Sequence, residues 1–191
     1  MPRRQLVPMA SALLLLFAFA WAPSSLDRPA IAAPVGARLC RNEPLRLRGF
    51  EPPVSWQPAP QANYPRIVCS YTHPDGGRLT LAAQKVAPGT AAESLAESAR
   101  AGLEKQGFSD VRISVDKSEG APRARLDAHL EGGRRFLRQL YLVDGGLGYV
   151  VTLVAGSVIE PEMSRDFDWA VRTLSIGSEA PRVDPDGGVP R

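Results

Sequence analysis

The sequence has little of the chemistry that most enzymes use. Its 191 residues include two histidines, His73 and His129, and two cysteines, Cys40 and Cys69. It contains none of the short motifs that mark serine hydrolases, zinc proteases, P-loop proteins or dinucleotide-binding proteins. We therefore predict a protein that is not an enzyme and has no cofactor. A hydrolase is the weaker alternative, because no nucleophile is accompanied by an identifiable base.

The sequence also lacks an apolar run of the roughly 20 residues that a membrane-spanning helix needs. Its longest such run is the eleven-residue stretch Ala12–Ala22, which follows Arg4. A short apolar run behind a basic N-terminus is typical of a secretory signal peptide. We predict a signal peptide over residues 1–32, with A-x-A cleavage sites that end at Ala20 and Ala32. An uncleaved N-terminal anchor is the alternative.

Outside the leader the sequence has almost no net charge. The formal net charge of +3 falls to +1 when residues 1–32 are left out, since 20 basic and 19 acidic residues remain. A nearly neutral domain gives no electrostatic reason to expect nucleic-acid binding. We predict an exported protein, periplasmic or extracellular, that is a monomer and contacts a membrane only through an uncleaved leader.

The two cysteines are 29 residues apart. In an oxidising compartment a disulfide is the favoured state of such a pair, and closing this loop stabilises a fold by roughly 3–4 kcal/mol. A redox or metal-binding pair would need C-x-x-C spacing or further ligands, which the sequence lacks. We predict a Cys40–Cys69 disulfide that ties the segment Arg41–Pro65 to the first long strand.

The chain is predicted to contain a linker over 33–44, a single domain over 45–176 and a disordered tail over 177–191. Seven prolines fall between residues 33 and 65. Because proline lacks a backbone donor, this segment is expected to wrap around the core instead of pairing regularly. Trp56 and Tyr64 are predicted to anchor it against the core, with an aromatic ligand platform as the alternative.

Residue patterns beyond this segment predict strands with alternating or β-branched residues and two helices with an apolar stripe. A further short strand is predicted at 45–50. The long strands are expected at 67–73, 79–86, 111–117, 123–131, 134–143 and 148–155, and the helices between Thr90 and Gly107 and over 161–174. Thr90 and Glu93 are predicted to form a capping box at the start of the first helix.

A two-residue turn at Gly132 and Gly133 fixes the register of the central hairpin. The pairs that follow are Glu131 with Arg134, His129 with Phe136 and Asp127 with Arg138. Alternation also places Asp127, His129 and Glu131 in one row, a pattern that can ligate a metal. Because arginines face both carboxylates, a salt-paired sheet surface is the better interpretation.

Both faces of this sheet are predicted to be covered. Apolar residues share the charged face of the second hairpin strand, namely Phe136, Leu140 and Leu142. The strand at 148–155 is apolar on both faces, which indicates a layer above and a layer below. We therefore predict an α+β domain: a mostly antiparallel sheet of about six strands with helices packed on its faces.

The order of these elements resembles the PsbP/Mog-like α/β/α sandwich family, which includes DcrB-like and LpqN-like exported bacterial proteins. The resemblance covers about residues 45–176. It rests on the turn at Asp144, the apolar strand Tyr149–Ala155, the helix with Phe167, and the proline-rich stretch Phe50–Trp56. It implies a mostly non-enzymatic role in assembly, protein binding or the cell envelope. No family site motif matches, so no functional residue is carried over.

We predict from these observations an exported, non-catalytic envelope domain that binds a protein partner or assists assembly. The alternative is a carrier of a small hydrophobic ligand or lipid, held between the sheet and a helix. The candidate binding face consists of Trp56, His129, Phe136, Arg138 and Leu140.

Overall fold

A computed structural model describes residues 38–60, 66–117, 122–130 and 132–177. The predicted leader, the first five residues of the predicted linker, Tyr64, Glu131 and the tail after Gly177 lie outside these residues. Within them, no helix has the length and apolar character that a membrane crossing requires.

The described residues form ten strands and two α-helices. In chain order these are β1 (Cys40–Asn42), β2 (Leu47–Phe50), β3 (Gln57–Pro58), β4 (Ile67–Thr72), β5 (Arg78–Lys85), α1 (Ala92–Lys105), β6 (Ser109–Asp116), β7 (Arg123–Leu130), β8 (Arg135–Asp144), β9 (Leu147–Gly156), α2 (Glu160–Thr173) and β10 (Ser175–Ile176).

Seven strands form the main sheet in the order β3-β4-β5-β9-β8-β7-β6, and every neighbouring pair is antiparallel. β9 is therefore the middle strand, and β3 and β6 are the edges. The predicted α+β class and mostly antiparallel sheet are confirmed, with one strand more than expected. β1, β2 and β10 form a separate three-stranded sheet.

One face of the main sheet is covered by α1, through the apolar stripe of this helix. Ala92 and Ala96 are buried against Leu126, Leu137 and other apolar side chains of β7, β8 and β9. The contact is close at Gly148, where an added Cβ would lie 3.1 Å from Leu95 Cδ1 and 2.8 Å from Val86 Cγ1. A side chain at this position would therefore require Val86 and Leu95 to shift.

The other face is covered by α2 and the small sheet. Met163, Phe167 and Ala170 of α2 are buried in one cluster with Tyr149 and Leu153 of β9. The apolar stripe predicted for this helix is therefore confirmed. The small sheet closes the end of this layer, where the Tyr149 hydroxyl donates to the Leu45 carbonyl at 2.8 Å.

The predicted register of the central hairpin is confirmed for the described residues. Asp127 pairs with Arg138, and His129 pairs with Phe136. The next turn is also built on glycine: Asp144 pairs with Leu147, and both intervening residues, Gly145 and Gly146, have positive φ. Two adjacent left-handed residues match the twist of a tight hairpin, which is why glycine is needed here.

Two sequence predictions for local structure are wrong. Thr90 does not cap α1: the helix has its N-cap at Ala91 without a side-chain bond, and the Thr90 hydroxyl donates to the Ala87 carbonyl at 2.7 Å. The strand predicted at 45–50 begins only at Leu47, because Arg46 adopts a left-handed φ of 53° after a 3₁₀ turn. β1 lies in the predicted linker and pairs with β2.

The N-terminal segment is held on the main sheet by a covalent bond and a buried phenol. Cys40 of β1 and Cys69 of β4 form a disulfide, as predicted. The hydroxyl of Tyr71, also on β4, donates to the Arg38 carbonyl at 2.7 Å. The small sheet is thereby fixed to the edge half of the main sheet.

We expect removal of the disulfide to destabilise the domain. The double substitution of Cys40→Ala and Cys69→Ala should lower the free energy of unfolding by about 3 kcal/mol, because the unfolded chain regains the freedom of the closed loop. Urea unfolding of both proteins without reductant measures this difference. Wild-type protein kept in reductant is the control and should unfold at the midpoint of the double variant. A loss below about 1 kcal/mol would contradict the assigned role of the bond.

We expect stability to fall at alkaline pH because of Tyr71. Burial, with the nearby Glu51 carboxylate, raises the pKa of Tyr71 from 10.0 to about 12. The unfolded chain therefore loses this proton at a lower pH than the folded protein does. The stabilisation that protonated Tyr71 gives is thus complete below pH 10 and is lost as pH rises through about 12. One such tyrosine lowers the free energy of unfolding by about 1.4 kcal/mol per pH unit in that window.

Unfolding midpoints between pH 9 and pH 12 provide the measurement, with Tyr71→Phe as the matched control. Burial also raises the pKa of Tyr141 and of Tyr149, so some alkaline loss remains in the variant. The Tyr71→Phe curve should nevertheless fall less steeply than that of the wild type. Parallel curves would show that Tyr71 does not hold its proton in the folded state.

Candidate functional site

Three residues of the predicted binding face lie in the core. Trp56 is 1% exposed, Phe136 is 2% exposed and Leu140 is 7% exposed. They belong to the same buried cluster as Met163 and Phe167 of α2. The prediction that these three residues form a binding surface is therefore wrong. Phe136 and Leu140, the apolar residues on the charged face of β8, are covered by a helix of the same chain.

The same packing bears on the alternative of a hydrophobic-ligand carrier. The space between the sheet and α2, where a ligand was expected, is filled by side chains of the chain itself, including Phe136, Leu140 and Leu142 from β8 and Phe167 from α2.

The other two predicted residues, Arg138 and His129, lie in a row of half-buried charges between the sheet and α2. We call this row the charged strip. Its members are Arg125, Asp127, His129, Arg138, Glu160 and Asp168. The strip runs along the side of α2 that faces β7.

Short contacts join the charges of the strip. Arg138 Nε donates to Asp127 Oδ1 at 2.6 Å, and Arg125 Nε lies 3.6 Å from Asp127 Oδ2. Arg125 also reaches α2, where its Nη1 donates to Asp168 Oδ1 at 3.2 Å and its guanidinium lies 5.7 Å from the centre of the Phe167 ring. One arginine thus links β7 to α2 by an ion pair and a cation–π contact.

His129 closes the other end of the strip. Its Nε2 lies 3.5 Å from Glu160 Oε2, at the first residue of α2. The described residues contain no group of three or more potential metal ligands. Because each carboxylate of the strip faces a basic partner, the arrangement is suited to holding α2 in place on the sheet.

A second set of contacts fixes the proline-rich loop between β2 and β3 against α2. Trp56 Nε1 donates to Asp166 Oδ2 at 2.7 Å, and its ring lies 5.3 Å from that of His73. At the other end of the loop, Thr173 Oγ1 accepts from the Glu51 amide at 2.9 Å. The loop therefore follows α2 over two helical turns, and Trp56 serves as the anchor that the sequence predicts.

The side of the domain that carries α2 also exposes large apolar side chains. Trp169 on α2 is 52% exposed, Val158 in the 3₁₀ turn before α2 is 96% exposed, and Val54 in the proline-rich loop is 85% exposed. Among the described residues only one other large apolar side chain is exposed, Leu39 at 37%.

Trp169 stands in an exposed row on the outer surface of α2. Arg165, Trp169 and Arg172 follow one another at positions i, i+4 and i+7 and are all exposed. The Arg172 guanidinium lies 5.8 Å from the centre of the Trp169 ring. We call these three residues the α2 stripe. Sequence reasoning missed it, although the signal was present: a tryptophan outside the apolar stripe of an amphipathic helix.

We expect the Trp56–Asp166 hydrogen bond to stabilise the loop that flanks α2. Asp166→Ala leaves the buried indole donor without an acceptor, which should lower the free energy of unfolding by about 1–3 kcal/mol. Asp166→Asn is the matched control, since its amide oxygen can still accept the bond. Urea unfolding followed by tryptophan fluorescence measures both. Equal losses in the two variants would indicate that the bond to the indole is not the cause.

No family model and no curated protein matches the chain. Among solved structures it is similar to PsbP (CyanoP) from the cyanobacterium Synechocystis sp. PCC 6803, with a TM-score of 0.57 and 11% identity over 81% of this chain and 100% of that one.

Two further structures show weaker similarity. One, from Bacteroides thetaiotaomicron, has a TM-score of 0.47 and 14% identity over 69% of this chain and 45% of that one. The other, a protein of unknown function from Pseudomonas aeruginosa, has a TM-score of 0.48 and 18% identity over 74% of this chain and 97% of that one. The likeness to CyanoP shows the fold: this chain has a PsbP-like fold.

Proposed function

We propose that this protein is an exported, non-catalytic domain that binds another protein of the cell envelope through the α2 stripe. The observation that carries the proposal is the half-exposed indole of Trp169 between two exposed arginines. Tryptophan and arginine are the residues most enriched at the energetic centres of protein interfaces.

The chemistry of the stripe defines the partner surface. An indole requires an apolar pocket, and the guanidinium groups of Arg165 and Arg172 require acceptors on either side of that pocket. Guanidinium groups bind carboxylates in a planar, paired geometry. The partner is therefore a protein with an apolar depression flanked by aspartate or glutamate side chains.

The setting of α2 supports this proposal. The charged strip holds one side of the helix through Arg125 and Asp168, and the proline-rich loop holds the other side through Trp56 and Asp166. A surface that is already ordered loses little conformational entropy when it binds, and this improves affinity.

The disulfide supports the location in the proposal. Disulfides such as Cys40–Cys69 persist in oxidising compartments and are rare in the cytosol. A PsbP-like fold agrees with a non-catalytic binding domain. Export through the predicted leader over residues 1–32 and binding of an envelope protein both remain parts of the proposal.

We expect Trp169→Ala to reduce recovery of the partner strongly. The wild-type protein is crosslinked in the envelope fraction, and the captured proteins are identified by mass spectrometry. An interface anchor contributes at least about 2 kcal/mol, so the variant should recover the same protein about 30-fold less efficiently. Arg165→Glu with Arg172→Glu should have a similar effect, because these changes place carboxylates opposite carboxylates.

Lys105→Ala is the matched control, since Lys105 is an exposed residue of α1 on the opposite face of the sheet. It should recover the partner as well as the wild type does. Thermal unfolding of all variants establishes that they are folded. If wild type and Trp169→Ala capture the same proteins in equal amounts, the α2 stripe is not the binding surface.

A further inference from the structure

β6 is an edge strand with an open side. It is eight residues long and pairs with β7 on one side, and within the described ranges no strand pairs with its other side. It contains neither proline nor glycine. A long, regular edge of this kind presents unpaired backbone donors and acceptors to any strand that approaches.

The irregular part of β6 is confined to its beginning. The pairing with β7 shifts register between Ser109 and Arg112, where Asp110 has a φ of 53°. From Arg112 to Asp116 every residue pairs in sequence with β7. A bulge discourages the addition of a strand, whereas the regular stretch that follows leaves the edge open to it.

We infer that two copies of the chain pair through this stretch of β6, antiparallel and related by a two-fold axis at Ser114. In this register Arg112 of each copy lies opposite Asp116 of the other, so two ion pairs form. On the face beneath α1, Ile113 lies opposite Val115. Cross-strand pairs of both kinds stabilise antiparallel strands.

The ion pairs extend a charge pattern that already crosses the sheet. Within one copy Arg138 lies opposite Asp127, and Asp127 lies opposite Arg112. In the second copy Asp116 lies opposite Arg123. The row across the joined sheet is therefore positive, negative, positive, negative, positive. Asp116 already has an interaction within its own chain, and a carboxylate can accept bonds from more than one donor.

Neighbouring registers are less favourable. An axis at Ile113 would place Arg112 opposite Ser114, so both ion pairs would be lost. An axis at Val115 would remove both ion pairs and place Ile113 opposite Lys117. The sequence of this edge is thus complementary to itself in one register, which argues for a second copy of the chain as the occupant.

The covering helices leave room for this pairing. α1 packs on β6, β7 and β8, so its axis lies near β7. The two β7 strands of the dimer are three strand spacings apart, about 14 Å. This exceeds the 8–10 Å or so at which helices pack, so the two α1 helices do not collide. A short edge contact buries less than the roughly 1,000 Å² of a stable interface, and the dimer is therefore weak and reversible.

Crosslinking through an introduced cysteine tests the register. Both native cysteines are in the disulfide, so Ser114→Cys provides a single free thiol. In the proposed dimer the two copies of this residue face each other with Cα atoms about 5 Å apart, within disulfide range. The full chain, expressed with its own leader, should form a disulfide-linked dimer under mild oxidation.

Arg112→Cys is the matched control, because its two copies lie about 13 Å apart in this register, too far for a disulfide. It should crosslink at least ten-fold more slowly than Ser114→Cys. Equal rates would mean random collision, and no crosslinking of either variant would mean that the edge stays open. Both results overturn the proposal.

Sedimentation of variants without a new thiol provides an independent test. Ser114→Asp places two carboxylates opposite each other at the two-fold axis, which should weaken the dimer about five-fold. Within its own chain the new carboxylate faces Arg125, so folding is not impaired. Ser114→Asn is the neutral control and should match the wild type. A wild type that is monomeric at all concentrations, or equal dissociation constants for the two variants, would overturn the proposal.

Discussion

The rest of the structure depends on the burial of β9 on both of its faces. Tyr149, Val151 and Leu153 are buried towards α2, while Val150 and Val154 pack against the α1 side. A strand that is apolar on both faces cannot be exposed on either without a large hydrophobic cost. The sheet therefore needs two covering layers. α1 supplies one, and α2 with the small sheet and its disulfide supplies the other.

The binding surface that we propose, the α2 stripe, lies on the exposed side of α2. If β6 joins two copies about an axis perpendicular to the sheet, the face that carries α2 in one copy continues into the same face of the other copy. Both α2 helices then lie on the same side of the extended sheet. Both Trp169 side chains then point towards the same partner surface. Once one of the two contacts has formed, the effective concentration for forming the other is high. Two contacts that are weak individually therefore give a useful overall affinity. In the proposed dimer the α2 stripe and the β6 edge would be parts of one binding arrangement.

Periodic patterns predicted the main sheet well, because a period of two assigns faces and a glycine turn assigns register. The Asp127–Arg138 pair and the two-sided burial of β9 are examples. Features without periodicity were missed. The small sheet joins strands of two to four residues from distant parts of the chain, and no local pattern marks β1 or β10. A cover over the face that carries Phe136 was predicted, but α2 was not identified as that cover, since a face covered by the chain's own helix looks in the sequence like a face awaiting a ligand. The exposure of Trp169 could have been predicted, because this residue lies outside the apolar stripe of α2.

Amide hydrogen exchange across the main sheet tests the two-layer organisation most directly. If β9 is the centre of a closed sandwich, its amides exchange only through global unfolding and are the slowest in the domain. Protection should decrease from β9 through β8 and β7 towards β6, and from β5 towards β3, with β6 alone becoming slower as protein concentration rises. Amides of β9 that exchange as fast as those of β6 would contradict this account.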